Sequence, residues 1–314
     1  MRIVQVSPSH GQLCGVAVFA DSMATALTAS GMEVRTVPSI SRPCDADICL
    51  LQYHSELMTP DELNTTLSRA HAPVAVVAHS PVLDRALGRI AGVLAMTEGL
   101  FSDPASVPTL TFPHPAFAPD VLSDRVAIRQ QFGLPADLPI VAASGFLRFD
   151  RRFPDILARL LPEAAEIGWG IQLVTSPWYM PSPGLLADLV RLHDQHDAQF
   201  WHVHEHLSEP DLNRRLQAAD LLWCWSPPPL MPYASGVISQ MYGSGTQIVA
   251  ADRPQHEHVL GLPNVVRAPG DLTSFVHELL RQMRSYKRTR HDPTVISWRQ
   301  QIGRIAYFLA DLLR

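Results

Sequence analysis

The run PYASGVISQMYGSGTQIVAAD, from Pro232 to Asp252, sets a turn of small residues ahead of a short apolar helix and a buried strand. Ser235 and Gly236 would open the helix, with Val237, Ile238 and Met241 at helical spacing. Gly243 and Gly245 would stop it before the strand Ile248-Val249-Ala250-Ala251. A helix that starts on Ser-Gly presents backbone N–H groups with no intrahelical partner and the positive end of its dipole, which suits a phosphate. The same pattern also serves as an ordinary helix–strand joint in any α/β protein. Arg148, Arg151 and Arg152 follow the apolar run Pro139 to Gly145; such a cluster is usually solvated charge, but at a strand end it can meet a phosphate. Two other apolar runs end on histidine, His54 after Asp47 to Leu51 and His79 after Pro73 to Ala78. At the carboxyl edge of a parallel sheet both imidazoles would stand where α/β proteins bind ligands. The alternative for each is a strand-end histidine bonded to neighbouring backbone. His202, His204 and His206 alternate in FWHVHEH and would share one face of a strand Phe200 to His206. No carboxylate or cysteine at ligand spacing joins them, so a metal is not expected.

The elements that must position these residues alternate strand and helix along the whole chain. Ile3 to Val6, a helix from about Val16 to Ser30 and the strand Glu33 to Val37 make a βαβ opening. Further strands are expected at Gly92 to Met96, Thr109 to Phe112, Pro139 to Gly145, Gly170 to Thr175, Leu221 to Trp225 and Val265-Val266. Helices are expected from Ser182 to His196, from Ser208 to Ala218 and from Leu272 to Tyr286. An amphipathic helix from Thr294 to Arg314 carries Trp298, Ile302, Ile305, Phe308 and Leu312. The boundaries expected are 1–120, 121–290 and 291–314.

A chain of 314 residues with 46% hydrophobic and 18% charged residues supports two packed domains rather than disorder. The net charge of −5 gives no global attraction to nucleic acid or to an anionic membrane. Cys14, Cys44, Cys49 and Cys224 have no metal-type spacing and suit reduced, buried thiols of a cytoplasmic protein. The N-terminus runs directly into a strand without a signal peptide, and no apolar run is long enough to span a bilayer.

SGVISQMYGSGTQIVAAD resembles the donor-binding segment SGxxxxEAxAxGxPVVA of retaining nucleotide-sugar glycosyltransferases of the GT-B fold, the broad family-4 type. SPSHGQLCGVAVFA is similar to that family's first loop, FLRFDRR to its G(R/F)xxxxKG segment, and LSEPDLNRRLQAADLLW to LSxxELxxLxxxADxxxxP. The resemblance implies a GT-B fold: two Rossmann-like domains with parallel sheets facing across a cleft, and a C-terminal helix returning to the N-terminal domain. It implies that Gly15 lets backbone approach the donor phosphates and that Arg148 and Arg151 neutralise them, with Ser235, Gly236 and Val237 supplying N–H groups. Gln240 stands at the ribose-binding position, Glu205 to Leu207 would line the nucleobase pocket, and His79 and His54 would face the reacting sugar and the acceptor. Three positions depart from the pattern. Gln240 and Pro232 replace glutamates, and Arg152 replaces the glycine of the Lys-Gly pair.

The activity so implied is transfer of a sugar from a nucleoside-diphosphate sugar, UDP- or GDP-linked, to a hydroxyl with retention of configuration. No metal and no bound cofactor are expected. The acceptor is left open among a glycan, a protein, a small metabolite and a modified nucleic-acid base. Two other classes fit the same motifs: a sugar-nucleotide epimerase or hydrolase of this fold, and a non-catalytic nucleotide- or partner-binding relative.

Overall fold

The computed structural model describes residues 1–40, 45–81, 88–97, 106–177 and 182–314. Cys44 lies outside them. The chain forms two compact units, one of Met1–His114, Pro229–Ala234 and Trp298–Arg314, the other of Pro115–Pro228 and Ser235–Ser297.

The first unit is built on six strands, β1 (Arg2–Val6), β2 (Glu33–Val37), β3 (Ile48–Tyr53), β4 (Val74–Ala78), β5 (Gly92–Ala95) and β6 (Thr109–Thr111). They lie in the order β2-β1-β3-β4-β5-β6, and every neighbouring pair is parallel. Strands β3, β4 and β5 are buried along their whole length, as the central strands of a sheet covered on both faces must be. Helix α1 (Gly15–Ala29) is capped by Cys14, whose sulfur accepts from the Ala17 N–H. Helix α2 (Pro60–Arg69) starts on a capping box between Thr59 and Glu62. The strand order reverses direction between β1 and β3, so the loops after these two strands diverge and leave a crevice at their carboxyl ends.

The second unit repeats the plan with β7 (Ile140–Phe146), β8 (Gly170–Ser176), β9 (Phe200–His204), β10 (Leu221–Cys224), β11 (Gln247–Ala251) and β12 (Val265–Ala268). Its helices are α3 (Arg125–Gln131), α4 (Phe153–Glu166), α5 (Pro183–Gln195), α6 (Glu209–Gln217), α7 (Gly236–Tyr242), α8 (Glu257–Leu260) and α9 (Leu272–Arg284). The order β12-β11-β10-β7-β8-β9 is that of the dinucleotide-binding Rossmann sheet, with its switch point between β7 and β10. At the amino ends of these two strands Asp220 takes both the Arg125 and the Arg129 guanidinium and accepts from the Ile140 N–H at 2.8 Å. Buried charge is tolerable here because the carboxylate is saturated with donors. Asp220 is the aspartate of the LSEPDLNRRLQAAD segment, and its place explains why that pattern carries an acid. Gly243 caps α7 where only a glycine fits, since a Cβ there would stand 2.2 Å from the Phe117 carbonyl oxygen.

Helix α10 (Trp298–Asp311) packs in the first unit, where Ile305 and Leu309 join Phe19, Met23 and Leu27 of α1 in one core cluster. The helix starts four residues later than Thr294. Pro293 to Ile296 form a 3-10 turn capped by Asp292, and Ser297 is extended at φ −68°, ψ 155°. No helix among the described residues is long and apolar enough to cross a membrane.

Candidate functional site

The switch point of the second sheet gathers most of the residues singled out by sequence. Strand β7 runs out through Ser144 and Gly145, the latter at φ +148°, where an L side chain is strained. A Cβ at Gly145 would meet Val237 at 3.7 Å, so the end of β7 lies against the start of α7. The chain then passes through a 3-10 turn, Phe149–Arg151, that brings Arg148 and Arg151 to the carboxyl edge of the sheet. Arg148 is ion-paired with Asp150 at 3.1 Å, and Arg152 with Asp155 at 2.7 Å. Arg151 is half-buried and has no carboxylate partner among the described residues. Its charge acts on Cys224 and His256 at the neighbouring strand end. Arg152 adopts φ 51°, ψ 33°, the left-handed conformation a glycine would take there.

Behind Arg151 stands a buried polar frame that carries no sequence motif. His256 is fully buried; its Nδ1 donates to the Ala251 carbonyl at 2.8 Å, and its Nε2 lies 3.2 Å from Ser226 Oγ. Gln255 donates to Ser226 Oγ at 2.7 Å and to the Pro227 carbonyl at 2.9 Å. The Gln255 backbone carbonyl accepts from the Ser235 N–H at 2.9 Å. The Ser235 N–H is therefore already spent, and the donors left at this helix start are those of Gly236 and Val237. Burial first, then the Arg151 and Arg253 charges, lower His256 to about 4, so it stays neutral at pH 7. Burial raises the Cys224 thiol to about 11, which makes it an inert packing group rather than a nucleophile. Gln240 lies one turn beyond Gly236 on α7 and is half-buried.

Strand β9 ends at His204, two residues short of the expected His206, because Glu205 turns away after its N–H donates to the Thr175 carbonyl at 2.9 Å. His202 Nε2 and His204 Nδ1 both meet Thr175 Oγ1 at 2.8 Å, and His206 instead bonds Ser176 Oγ at 2.8 Å. The three imidazoles thus serve two hydroxyls. Among the described residues no cluster of His, Cys, Asp and Glu could hold a metal ion. The His206 ring stacks with Phe146 at 6.5 Å, which brings the Glu205–Leu207 turn beside the end of β7. Glu205 is exposed and Leu207 half-buried. A shallow hollow of about 310 Å³ nearby is lined by Asp150, Asp155 and Asp188. Arg152 lines it too, paired with Asp155, and Asp150 is paired with Arg148.

In the first unit His79 and His54 follow β4 and β3 as expected. His79 Nε2 lies 2.8 Å from Gln52 Oε1, its ring meets Phe19 edge-on at 4.9 Å, and its backbone N–H donates to the Tyr53 carbonyl. Burial, with the His114 and His54 rings adding to it, holds His79 well below the ordinary imidazole value. His54 Nδ1 accepts from the Glu56 N–H at 3.1 Å. Gly15 opens α1 with nothing within 4 Å of a built Cβ, so the fold by itself does not demand glycine there. Sequence inspection passed over Gln52 and its neighbour Gln5. The available signal was a glutamine interrupting each of two apolar runs.

No family model and no curated protein matches the chain. Solved structures do. Anabaena HepE in complex with UDP-glucose superposes with a TM-score of 0.70 at 13% identity, over 99% of this chain and 100% of that one. Sucrose-phosphate synthase from Thermosynechococcus elongatus gives 0.69 at 14% identity, over 99% of each chain. A glycosyltransferase from Rickettsia africae gives 0.68 at 9% identity, over 100% of this chain and 98% of that one. These likenesses, together with two parallel six-stranded sheets, establish the GT-B glycosyltransferase fold.

Proposed function

We propose that the chain is a retaining glycosyltransferase that moves a sugar from a nucleoside-diphosphate sugar, UDP- or GDP-linked, to a hydroxyl acceptor. The observation that carries this is Arg151, a half-buried cation without a carboxylate partner among the described residues, in the turn after β7 at a Rossmann switch point where the end of β7 also lies against the start of α7. The two arginines on either side of it are paired. Such a group is ready for an anion that the protein itself does not supply.

In this reading the departing diphosphate is stabilised by Arg151, by Arg148 once drawn from Asp150, and by the α7 N–H groups. Gln240 holds the ribose hydroxyls, and the Glu205–Leu207 turn with Phe146 and His206 borders the base. His79 and His54 act on the sugar and acceptor hydroxyls. The chemistry asks chiefly for a stabilised leaving group and a positioned acceptor, and neither a protein nucleophile nor a metal is invoked. Retention follows from the resemblance of the donor segment. The UDP-bound and UDP-glucose-bound forms of HepE favour uridine as the base. We place the activity in the cytoplasm, where nucleotide sugars are made and where buried free thiols such as Cys14, Cys49 and Cys224 persist.

The test is binding of UDP, GDP and their sugars followed by thermal unfolding. A ligand at a hundred times its Kd should add about 2.7 kcal/mol to stability. Arg151→Ala should weaken UDP by about 1.5–3 kcal/mol, the range for a charge-assisted contact, and leave uridine unchanged. Equal losses for UDP and uridine would remove Arg151 from the phosphate site. Release of UDP from UDP-glucose with no glycosylated product would point to a hydrolase instead.

A further inference from the structure

Gln5 in β1 and Gln52 in β3 are fully buried on adjacent strands of the first sheet. Gln52 Nε2 donates to Gln5 Oε1 at 3.0 Å. Gln5 Nε2 donates in turn to the Ala20 carbonyl at 2.9 Å and to Thr36 Oγ1 at 3.1 Å. An amide can be turned end for end with no change of shape, so its orientation follows from what it faces. The Ala20 carbonyl only accepts, which places the Gln5 nitrogen against it and leaves the Gln5 oxygen for Gln52. The Met23 thioether, 3.6 Å from Gln52 Nε2, also only accepts, and it fixes the Gln52 amide the same way by a separate contact. The Gln52 oxygen therefore faces His79, and it accepts from Nε2 at 2.8 Å. Turning either amide would set oxygen against an acceptor where water does not reach.

We propose that Gln5 and Gln52 are positioning residues that hold His79 as its Nε2–H tautomer and so make Nδ1 a dedicated hydrogen-bond acceptor for a substrate hydroxyl. A neutral imidazole protonated on Nε2 offers a lone pair and no proton at Nδ1. It takes an O–H and has nothing to give a phosphate or carboxylate oxygen. Nδ1 makes no hydrogen bond among the described residues. The Phe19 edge contact and the Gln52 bond hold the ring, and the backbone N–H of His79, bonded to the Tyr53 carbonyl, fixes the main chain that carries it. Burial keeps it uncharged, and the titratable groups that bear on it are His54, after β3, and His114. Phosphate recognition then belongs to the arginines of the second unit, and hydroxyl recognition to His79. The tautomer stands on the first unit's geometry alone; the hydroxyl as its ligand rests on the glycosyl-transfer reading.

The test is a long-range proton–nitrogen spectrum of the full chain labelled at histidine, at pH 7, with the His79 signals identified by their loss in His79→Gln. The expected wild-type pattern is a protonated Nε2 and a bare Nδ1. Gln52→Met and Gln5→Met should each give a mixture of tautomers. With UDP-glucose as the probe, Gln52→Met should slow UDP release tenfold or more at unchanged KM, and Gln5→Met should do so to a smaller extent. A wild-type His79 carrying its proton on Nδ1 overturns the proposal, and so does a tautomer that both variants leave unchanged. The wild-type spectrum decides even where Gln52→Met does not fold. A correct tautomer in a chain that shows no transfer with any nucleotide sugar leaves the amide relay standing and removes the glycosyl-transfer reading.

Discussion

Arg152 does a glycine's work with a side chain attached. Its φ of 51° puts Cβ against the following carbonyl, a strain of roughly 1–2 kcal/mol for an L residue. The left-handed turn follows directly on Arg151, whose charge is felt at Cys224 and His256. Arg152→Gly and Arg152→Ala both lose the exposed Asp155 pair, which by itself is worth little. Glycine relieves the strain but gives the unfolded chain more freedom, about 0.4–1 kcal/mol. Arg152→Gly should therefore be more stable than Arg152→Ala by about half to one kcal/mol in urea denaturation. An alanine variant as stable as the glycine variant would mean the turn relaxes once Arg152 is gone. At Gln240 the amide can bond a diol without supplying charge. Gln240→Leu should lower affinity for UDP and Gln240→Glu should preserve it. Unchanged affinity in the leucine variant, measured by calorimetry, would displace Gln240 from the ribose.

At the scale of elements, the polar frame behind Arg151 makes stability depend on pH. His256 binds its proton near pH 4 when folded and near 6.5 when unfolded, because it is fully buried. Between these values the unfolded chain holds more protons, so stability is complete above about 6.5 and falls as pH drops toward 4. The loss is on the order of 2 kcal/mol by pH 5. His202, also lowered to about 4 but half-buried, adds a smaller loss in the same window. Denaturation of His256→Gln at pH 7 and pH 5 should show a flatter dependence than wild type. Identical slopes would mean that His256 is not the group that titrates. None of this frame was legible in the sequence, since Ser226, Gln255 and His256 are ordinary loop residues until the fold sets them against each other. The strands were legible because each is an apolar run bounded by proline, glycine or a polar turn. Strand β9 was drawn too long because His206 continues the two-residue alternation although the chain has already turned at Glu205. That the end of β7 lies against α7 depends on the strand order β10-β7, which periodicity does not encode. Only the resemblance joined those two segments in advance.

For the whole molecule, the chain supplies the first unit from three separate pieces, and its last helix is one of them. Leu309 and Ile305 are fully buried against Phe19, Met23, Ile48, Leu50 and Val77, so this core is unfinished until the C-terminus is in place. The core of the second unit takes all its fully buried apolar residues from Ala116 to Ile296. A cavity made at Leu309 should thus weaken one unit selectively. Leu309→Ala is expected to cost about 2–5 kcal/mol, the range for truncating a buried aliphatic side chain. Amide hydrogen exchange resolved by strand reads where the loss falls. Protection should drop in β1, β3, β4 and β5, while β7, β8, β10 and β11 retain theirs, and UDP affinity should be unchanged because Arg151 and α7 belong to the unaffected core. A uniform drop across both sheets would show that the two units open as one cooperative body. UDP would then stabilise β1 and β4 as much as β7.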